Sequence, residues 1–491
     1  SFDNVNRPDA GIYHLPYVRI LNDFKIIIGS ANFNPLFGVT SIFQYISAIF
    51  NNYIFKDIGV TIPHALLSIY FIDYFLRNFF SNSDKDLFYK LFIFTLASYF
   101  LIEMNRYSDY GNDTPGHLFS FYLLSLFVKK DFNLENKENF KLFALISLFC
   151  FLNRPFLILF IFLAIYIWIK KKHFLSFSSF PIFSLFFLFF WMAKNILVSG
   201  CAIYPIKFTC FDDLSWYSNE AKFRIAARNS SEFSELHAKG WEDIIKNREY
   251  INYEHKTEEK QNYLKNFNWL NKDYISKHSH TFKKKIDFFI LYLIIVSSCL
   301  YFLKDNKKDF NSTIKDERYK ILIILSSIGL FLMIYKFPLG RYGTSYLAIF
   351  IYCIFFPIIS FFSNKSSIKK NGKILGIFLI ILSTLFFGKN INRIVKNYSA
   401  DYNQSPWPRI YDNYFKISGS NKLQNLPIEF KKINKNRILD IYYINEENFY
   451  SSERKILCLY NKAPCTQTSE NFKTFDVEIY KGHYFVKLNK V

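Results

Sequence analysis

The chain has 491 residues, of which 51% are hydrophobic and 21% aromatic, and 61 Lys and Arg against 40 Asp and Glu give it a net charge of +21. The apolar residues lie in blocks separated by Lys- and Asn-rich stretches, which argues against a soluble cytosolic protein and predicts membrane spans. The positive charge is dispersed among loops without a nucleic-acid-binding motif, so no nucleic acid is expected as a partner.

The apolar runs predict about ten helical spans. The predicted spans lie near residues 59–80, 88–104, 116–129, 141–152, 155–171, 178–197, 286–304, 320–336, 343–363 and 372–388. Residues 1–10 are too polar for a signal peptide or a span, so we expect one more span to be missing upstream. The predicted fold class is therefore an all-α polytopic membrane protein with a periplasmic helical loop and a small C-terminal α/β domain.

Basic loops give the expected orientation in the membrane. They are Lys129 to Lys137, Lys170 to Lys172, Lys304 to Arg318 and Lys365 to Lys373. All four fall on one face if the spans alternate, and the positive-inside rule makes that face the cytoplasm. The sequence therefore predicts a multi-pass protein of a bacterial inner membrane whose other face looks into the periplasm.

Five segments follow from this orientation. They are a first outer loop with a surface helix at 1–57, a first part of the membrane bundle at 58–197, an outer loop at 198–285, a second part of the bundle at 286–388 and a periplasmic α/β tail at 389–491. Helical spacing over residues 41–54 favours a helix on the membrane surface, with a slightly polar transmembrane helix as the alternative. Lys481-Gly482 predicts a hairpin turn inside the last tail strand.

The first outer loop carries a polar motif, Asp9-Ala10-Gly11-Ile12-Tyr13-His14-Leu15-Pro16. An acid in this loop, followed by a surface helix and a bundle of spans, resembles the GT-C superfamily of membrane glycosyltransferases. The form D-x-x-x-Y-H-L-P is similar to a largely uncharacterised bacterial branch. A positioned carboxylate can also accept the proton of an attacking hydroxyl, so Asp9 is the expected general base. The alternative is that Asp9 caps a turn or pairs with Arg7.

The resemblance implies a reaction and its partners. The donor would be a polyprenyl-phosphate sugar, the acceptor a lipid or a glycan, and the transfer would invert the anomeric carbon at the membrane surface. The paired acids usual in the superfamily are absent, and His14 is the nearest polar partner of Asp9. A divalent cation, Mg²⁺ or Mn²⁺, is therefore left open as a cofactor. Tyr13 and Asn32, from the same loop, are expected to contact the substrate.

A second polar group precedes and begins the span near 116–129. Asp113-Thr114-Pro115 is typical of a helix start with Asp113 as its cap, although Asp113 is also a candidate substrate contact. Asp109 has no such structural duty and is expected to orient a sugar hydroxyl or a metal. His117 fits a buried core histidine better than a ligand.

Basic residues at the outer ends of spans are candidates for the donor phosphate. They are Lys194, Lys207 and Arg341, and Tyr204 lies nearby as a candidate substrate contact. Glycines flank Arg341-Tyr342 and would let the backbone approach a ligand. For the two lysines the alternative is ordinary snorkelling to the interface.

The cysteines in the two outer regions come in near pairs. Cys201 with Cys210 and Cys458 with Cys465 would close small loops by disulfides in an oxidising compartment. The alternative is four unpaired thiols. Zinc is less expected, because no C-x-x-C pair or histidine cluster is present.

Two other functions fit parts of the sequence. An O-antigen ligase or polymerase would carry arginines and a histidine in the large outer loop, and that loop holds several of each without a recognisable pattern. A transporter or flippase would place ionisable residues deep in its spans. The acids inside the predicted spans, Asp73, Glu103 and Asp287, lie near span ends.

Overall fold

The computed structural model contains twelve α-helices and seven β-strands among the residues it describes. Those residues are 10–39, 41–51, 54–55, 59–81, 87–103, 113–172, 182–217, 235–236, 238–240, 257–270, 274–275, 283, 287, 290, 316–362, 368–398, 414–416, 423–425, 430–435, 438–444, 458, 460, 463–466 and 475–488.

The helices follow in chain order. They are α1 (Leu15–Asp23), α2 (Ile42–Phe50), α3 (Ile62–Phe80), α4 (Leu87–Glu103), α5 (Asp113–Val128), α6 (Lys137–Asn153), α7 (Leu159–Lys170), α8 (Ile182–Ser199), α9 (Thr257–Leu264), α10 (Glu317–Lys336), α11 (Thr344–Phe362) and α12 (Ile368–Tyr398). A π-helical turn, Ala10–His14, precedes α1. Short 3₁₀ turns follow at Ser30–Asn32, Pro35–Gly38, Pro155–Ile158, Lys207–Thr209 and Lys265–Phe267.

Side-chain caps fix several helix starts. At α2 the hydroxyl of Ser41 accepts a hydrogen bond from Phe43 N, and the side chain of Gln44 accepts one from Ser41 N. This capping box satisfies two backbone donors that a helix start otherwise leaves unpaired. The helix predicted over 41–54 is thus present over Ile42–Phe50.

The helical core is formed by side chains of α3 to α7 and of α10 to α12. Within it α5 packs on α6, α10 on α11, and α4 on α12 and α11. The described side chains of α4 and α5 are buried on nearly all sides, and Tyr89, Tyr99 and Phe121 are 0% exposed. Helices that are apolar all round belong in such a core.

The prediction of a polytopic fold with about ten spans is wrong. Within the described residues, two helices are long and apolar enough to cross a membrane, Glu317–Lys336 and Leu375–Asn392. An α-helix rises 1.5 Å per residue, so a hydrocarbon core of about 30 Å needs about 20 residues. The other apolar helices are shorter; they are Phe88–Ile102, Pro155–Lys170, Ser184–Ser199 and Thr344–Pro357. The predicted span at 286–304 lies almost entirely outside the described residues.

The described parts of three of the four predicted basic loops meet at one end of the helical core. Lys171 Nζ lies 2.8 Å from Glu135 Oε1, Arg318 donates to the carbonyl of Val128 at 2.6 Å, and the hydroxyl of Tyr166 donates to Glu317 at 3.1 Å. We call the end formed by Lys129–Lys137, Lys170–Lys172 and Asp316–Arg318 the basic end. The helices between these loops therefore run alternately up and down.

The described part of the tail consists of short strands. They are β1 (Tyr414–Lys416), β2 (Leu423–Asn425), β3 (Phe430–Lys435), β4 (Leu439–Ile444), β5 (Cys465–Thr466), β6 (Phe475–Tyr480) and β7 (His483–Leu488). β1 pairs with β2, β4 lies between antiparallel β3 and parallel β5, and β6 pairs with β7. Lys481 and Gly482 join β6 to β7 with φ of 50° and 76°, as a two-residue hairpin turn requires. The predicted turn is confirmed.

The tail and the first outer loop share one apolar core. Phe33 and Phe37 of the loop pack with Ile441, Phe475 and Val477 of the tail. The backbone of Ile28 pairs with strand β7, where Ile28 N donates to Tyr484 O at 2.9 Å and Val486 N donates to Ile28 O at 2.9 Å. This composite unit adjoins the C-terminal end of α8, since Gly29 N donates to Leu197 O.

Candidate functional site

Two arginines converge on one aspartate at the end of the core opposite the basic end. Asp113 begins α5, Arg154 follows α6, and Arg341 precedes α11. Arg154 Nη2 forms an ion pair with Asp113 Oδ1, and Arg341 Nε lies 4.0 Å from Asp113 Oδ2. Both guanidinium carbons lie 5.2 Å from the centre of the Tyr342 ring. We call Asp113, Arg154, Arg341 and Tyr342 the arginine cluster, and this end of the core the site end.

Arg154 is the most enclosed member of the cluster. Its side chain is 17% exposed, against 48% for Arg341. Burial, the largest single influence, lowers the pKa of Arg154, but Asp113, Tyr342 and Tyr13 together outweigh it and the pKa is raised overall. The guanidinium is therefore charged at every physiological pH. Its Nε atom is buried and has no hydrogen-bond partner within the described part of the chain.

A buried histidine fixes the backbone of Arg341. His117, one turn into α5, contacts Arg341 O through Nε2 at 2.7 Å and Ser345 Oγ through Nδ1 at 2.7 Å. The position of Arg341 relative to Asp113 is thus set by α5 itself. His117 is 2% exposed, so the prediction of a satisfied core histidine agrees with its geometry.

The first outer loop lies beside the cluster. Ser41 Oγ donates to Asn153 Oδ1 at 3.2 Å, and Asn153 immediately precedes Arg154. His14 is buried and its Nδ1 lies 3.1 Å from Gln44 Nε2. Tyr13 is close enough to Arg154 to act on its charge. Tyr13, within the motif that resembles the glycosyltransferases, therefore lies near Arg154.

Two of the predicted catalytic residues lie outside the described residues. They are Asp9 and Asp109. Asp9 immediately precedes the described π-helical turn Ala10–His14. Their roles stay predictions.

Lys194 occupies a separate position on α8. Its Nζ lies 5.3 Å from the ring centres of Tyr45 and Trp191 and donates to Asn195 Oδ1 at 2.5 Å. The amine thus faces aromatic rings of α2 and α8, and its role at the donor phosphate stays a prediction.

Two of the predicted substrate contacts serve packing. Asn32 Nδ2 donates to the carbonyls of Trp216 and Val486 at 3.1 Å each, so its amide links three distant segments. The ring of Tyr204 lies against Gly38, where an added Cβ would come within 2.5 Å of it. Lys207, in contrast, lies exposed in a 3₁₀ turn.

Both predicted cysteine pairs are joined in the structure. Cys201 bonds Cys210 across the loop after α8, and Cys458 bonds Cys465 in the tail. The remaining cysteines in the described residues, Cys150 and Cys353, are buried thiols of the core. No group of three His, Cys, Asp or Glu side chains that could hold a metal occurs in the described residues.

Sequence reasoning missed Arg154. The signal was the segment Asn153-Arg154-Pro155, a charged residue in a break between two apolar runs on the side away from the basic loops. A charge beside hydrocarbon is costly and points to function. Only its spatial neighbours, Asp113 and Arg341, show that it belongs to the same site.

The comparisons with known proteins give a family without a stated activity. A family model described as Domain of unknown function (DUF8201) matches residues 4–348. That stretch contains the whole arginine cluster and nearly all of the first outer loop, and it ends before the tail strands. No curated protein and no solved structure matches the chain.

Proposed function

The chain belongs to the family Domain of unknown function (DUF8201), and we propose that it is a membrane-associated glycosyltransferase. It transfers a sugar from a polyprenyl-phosphate donor to a lipid or glycan acceptor. The proposal joins the resemblance of the first outer loop to the GT-C superfamily with the arginine cluster beside that loop.

The arginine cluster is the observation that carries the proposal. A guanidinium presents donors in a planar fork that matches phosphate oxygens. Arg341 is half exposed, and Arg154 offers a buried Nε donor that a bound oxygen would satisfy. Asp113 holds the two forks near each other. Cations fixed in this way stabilise charge that develops on a leaving phosphate.

The remaining roles follow from the first outer loop. Asp9 accepts the proton of the acceptor hydroxyl as it attacks the anomeric carbon from the side opposite the phosphate, so the configuration inverts. His14, and Asp109 from the segment before α5, orient this carboxylate or the sugar. Tyr13, in the first outer loop, lies near Arg154. Whether Asp9 also holds Mg²⁺ or Mn²⁺ is decided by the experiment below.

The membrane supplies the donor. On α10 the exposed side chains Ile324, Ile328, Phe331 and Ile334 form one apolar stripe, as a helix that faces lipid would show. The basic end lies on the cytoplasmic side by the positive-inside rule. The arginine cluster, at the opposite end, then faces the periplasm across a bacterial inner membrane.

The test is release of polyprenyl phosphate by the purified full chain in lipid, with polyprenyl-phosphate sugars as donors. The natural chain should release polyprenyl phosphate, and Asp9→Asn should lower turnover on the order of 100-fold, because the amide cannot accept a proton. Restoration of Asp9→Asn by added Mg²⁺ or Mn²⁺ would make Asp9 a metal ligand. Wild-type turnover in Asp9→Asn would remove this residue from catalysis.

A further inference from the structure

The loop that follows α8 carries exposed aromatic side chains. Phe208 is 88% exposed and Phe211 is 50% exposed. Phe208 lies in the 3₁₀ turn Lys207–Thr209, with the exposed Lys207 beside it. Exposing a phenylalanine side chain to water is unfavourable. Two exposed phenylalanines on one loop therefore indicate an interaction surface that an apolar partner covers.

A disulfide and several hydrogen bonds define the backbone of the loop. The disulfide Cys201–Cys210 closes it, Ala202 N donates to Thr209 O at 2.9 Å, and Phe211 N donates to Gly200 O at 3.0 Å. Thr209 Oγ1 adds hydrogen bonds to the carbonyls of Ile203 and Ile206 at 3.1 and 2.8 Å. These contacts hold the tip in a fixed shape with the ring of Phe208 pointing out.

The exposed apolar side chains of α8 lie in its first half. Five large side chains of α8 are at least 51% exposed: Leu185, Phe186, Phe187, Phe189 and Phe190. The helix ends at Ser199, and residues 201–211 follow directly. An α-helix rises 1.5 Å per residue, so the end of α8 lies about 15 Å beyond these side chains, which is about half the thickness of a hydrocarbon core and places the loop near the headgroups.

We propose that residues 201–211 form an anchor that inserts Phe208 and Phe211 into the headgroup region of the bilayer. Lys207 is placed to reach lipid phosphates, since a lysine keeps its amine in the polar layer while its stem lies along apolar groups. The inserted partner is the bulk lipid surface. The anchor holds the outer end of α8 at a fixed depth, and with it Tyr204, which packs on the first outer loop.

The proposal of an anchor depends on the membrane association in the proposed function, and it does not depend on the chemistry of the arginine cluster. Its test is the depth of spin labels on the full chain in lipid nanodiscs, read from collisions with oxygen and with a water-soluble nickel complex. Labels are placed on Phe208→Cys, on Ile324→Cys in α10 as the lipid reference, and on Asp213→Cys as a water reference from the same segment. Mass mapping confirms that Cys201 and Cys210 stay joined.

The label at Phe208 should favour oxygen over the nickel complex, as the label at Ile324 does, while the label at Asp213 shows the reverse. A label at Phe208 that matches Asp213, with Ile324 still lipid-exposed, would overturn the anchor and leave the proposed function standing. Water-like labels at both Phe208 and Ile324 would overturn membrane association and the proposed function together.

A second experiment tests the side chain itself, with the label on Phe211→Cys. Phe208→Asp should shift this label toward the nickel complex, because a carboxylate does not enter an apolar layer. Phe208→Leu should leave the label at its original depth. An unchanged signal in Phe208→Asp would show that Phe208 does not hold the loop in the bilayer.

Discussion

The two ends of the helical core carry the same kinds of charged residue in different arrangements. At the basic end the lysines pair with exposed acids, as Lys171 does with Glu135, whose side chains are 36% and 64% exposed, whereas Arg318 and Asp316 are 18% and 29% exposed. At the site end Arg154 and Asp113 are 17% and 25% exposed. Both ends therefore hold one enclosed arginine–aspartate pair; the basic end adds solvated lysine pairs, and the site end brings a second arginine to the same aspartate.

The degree to which an ion pair is enclosed decides what its side chains can do. Water screens an exposed ion pair, which stabilises a protein by about 0–1 kcal/mol and leaves its side chains mobile. A partly buried pair is screened less, and it holds its side chains in one geometry. Only the second kind holds donors in place for a ligand, and we expect substitutions to affect activity at the site end, where two arginines meet at one aspartate.

The largest expected effect follows from Arg154→Ala. Loss of a fixed donor to developing charge should lower turnover by about 10²–10³-fold. The substitution also leaves Asp113 without its closest partner, and breaking a buried pair costs about 3–5 kcal/mol, reduced here because both side chains are partly exposed. Polyprenyl phosphate release at matched expression measures the first effect, and thermal unfolding in detergent measures the second.

Two variants make the Arg154 result specific. Arg154→Ala with Asp113→Asn removes the unpaired charge, so stability should recover while turnover stays low. Arg77→Ala removes an exposed arginine paired with Asp73 in α3, and it should leave turnover unchanged. Recovery of turnover in the double variant would show that Arg154 acts on stability alone.

Residues near each other in sequence were predicted, and contacts between distant segments were not. Glycines on both sides of Arg341-Tyr342 and the helix start at Asp113 are local patterns, and the structure places both residues in one cluster. Arg154 has no local pattern, because its role depends on Asp113 and Arg341 from other helices. Its importance appears only when α5, α6 and α11 are packed together.

The span count failed for a related physical reason. The composition of α5 resembles that of a helix in lipid, yet its side chains from Pro115 to Val128 are largely buried by neighbouring helices. An apolar run shows that a segment avoids water, and it does not show whether lipid or protein covers it. The hairpin at Lys481-Gly482 was predictable because its turn depends on those two residues alone.

Arg341→Lys should have the next largest effect. Lysine keeps the charge but loses the planar fork, and a hydrogen bond to a charged group contributes about 1.5–3 kcal/mol. Because Arg341 is half exposed, the lower part of that range applies, and the Michaelis constant for the donor should rise about tenfold. The fold should stay intact, since His117 contacts the backbone of Arg341 rather than its side chain.

Arg318→Lys at the basic end is the matched control for Arg341→Lys. Arg318 also forms a forked pair, with Nη2 2.7 Å and Nε 3.1 Å from the carboxylate of Asp316. The two substitutions remove the same chemical feature from opposite ends of the core. An equal rise of the Michaelis constant in both would contradict the assignment of the donor phosphate to the site end.

Asn32→Ala should affect stability more than chemistry. Its amide joins the first outer loop to Trp216 and Val486, and unsatisfied buried groups cost about 1–3 kcal/mol each. The unfolding temperature should therefore fall, and the Michaelis constant for the donor should stay unchanged. Asn139→Ala, which removes an exposed amide bonded to Asn133 O, is the control. A changed Michaelis constant with unchanged stability would support the prediction that Asn32 contacts the substrate.

The smallest effect is expected from Lys171→Ala at the basic end. Lys171 Nζ lies 2.8 Å from Glu135 Oε1, a distance as favourable as any in the arginine cluster, but the pair is solvated and should contribute about 0–1 kcal/mol. Turnover should be unchanged, and the unfolding temperature should fall slightly at low salt and not at high salt. Glu135→Gln removes the same pair from the acidic side and should give the same result. If either variant lowered turnover as Arg154→Ala does, the basic end would have to be considered for substrate binding.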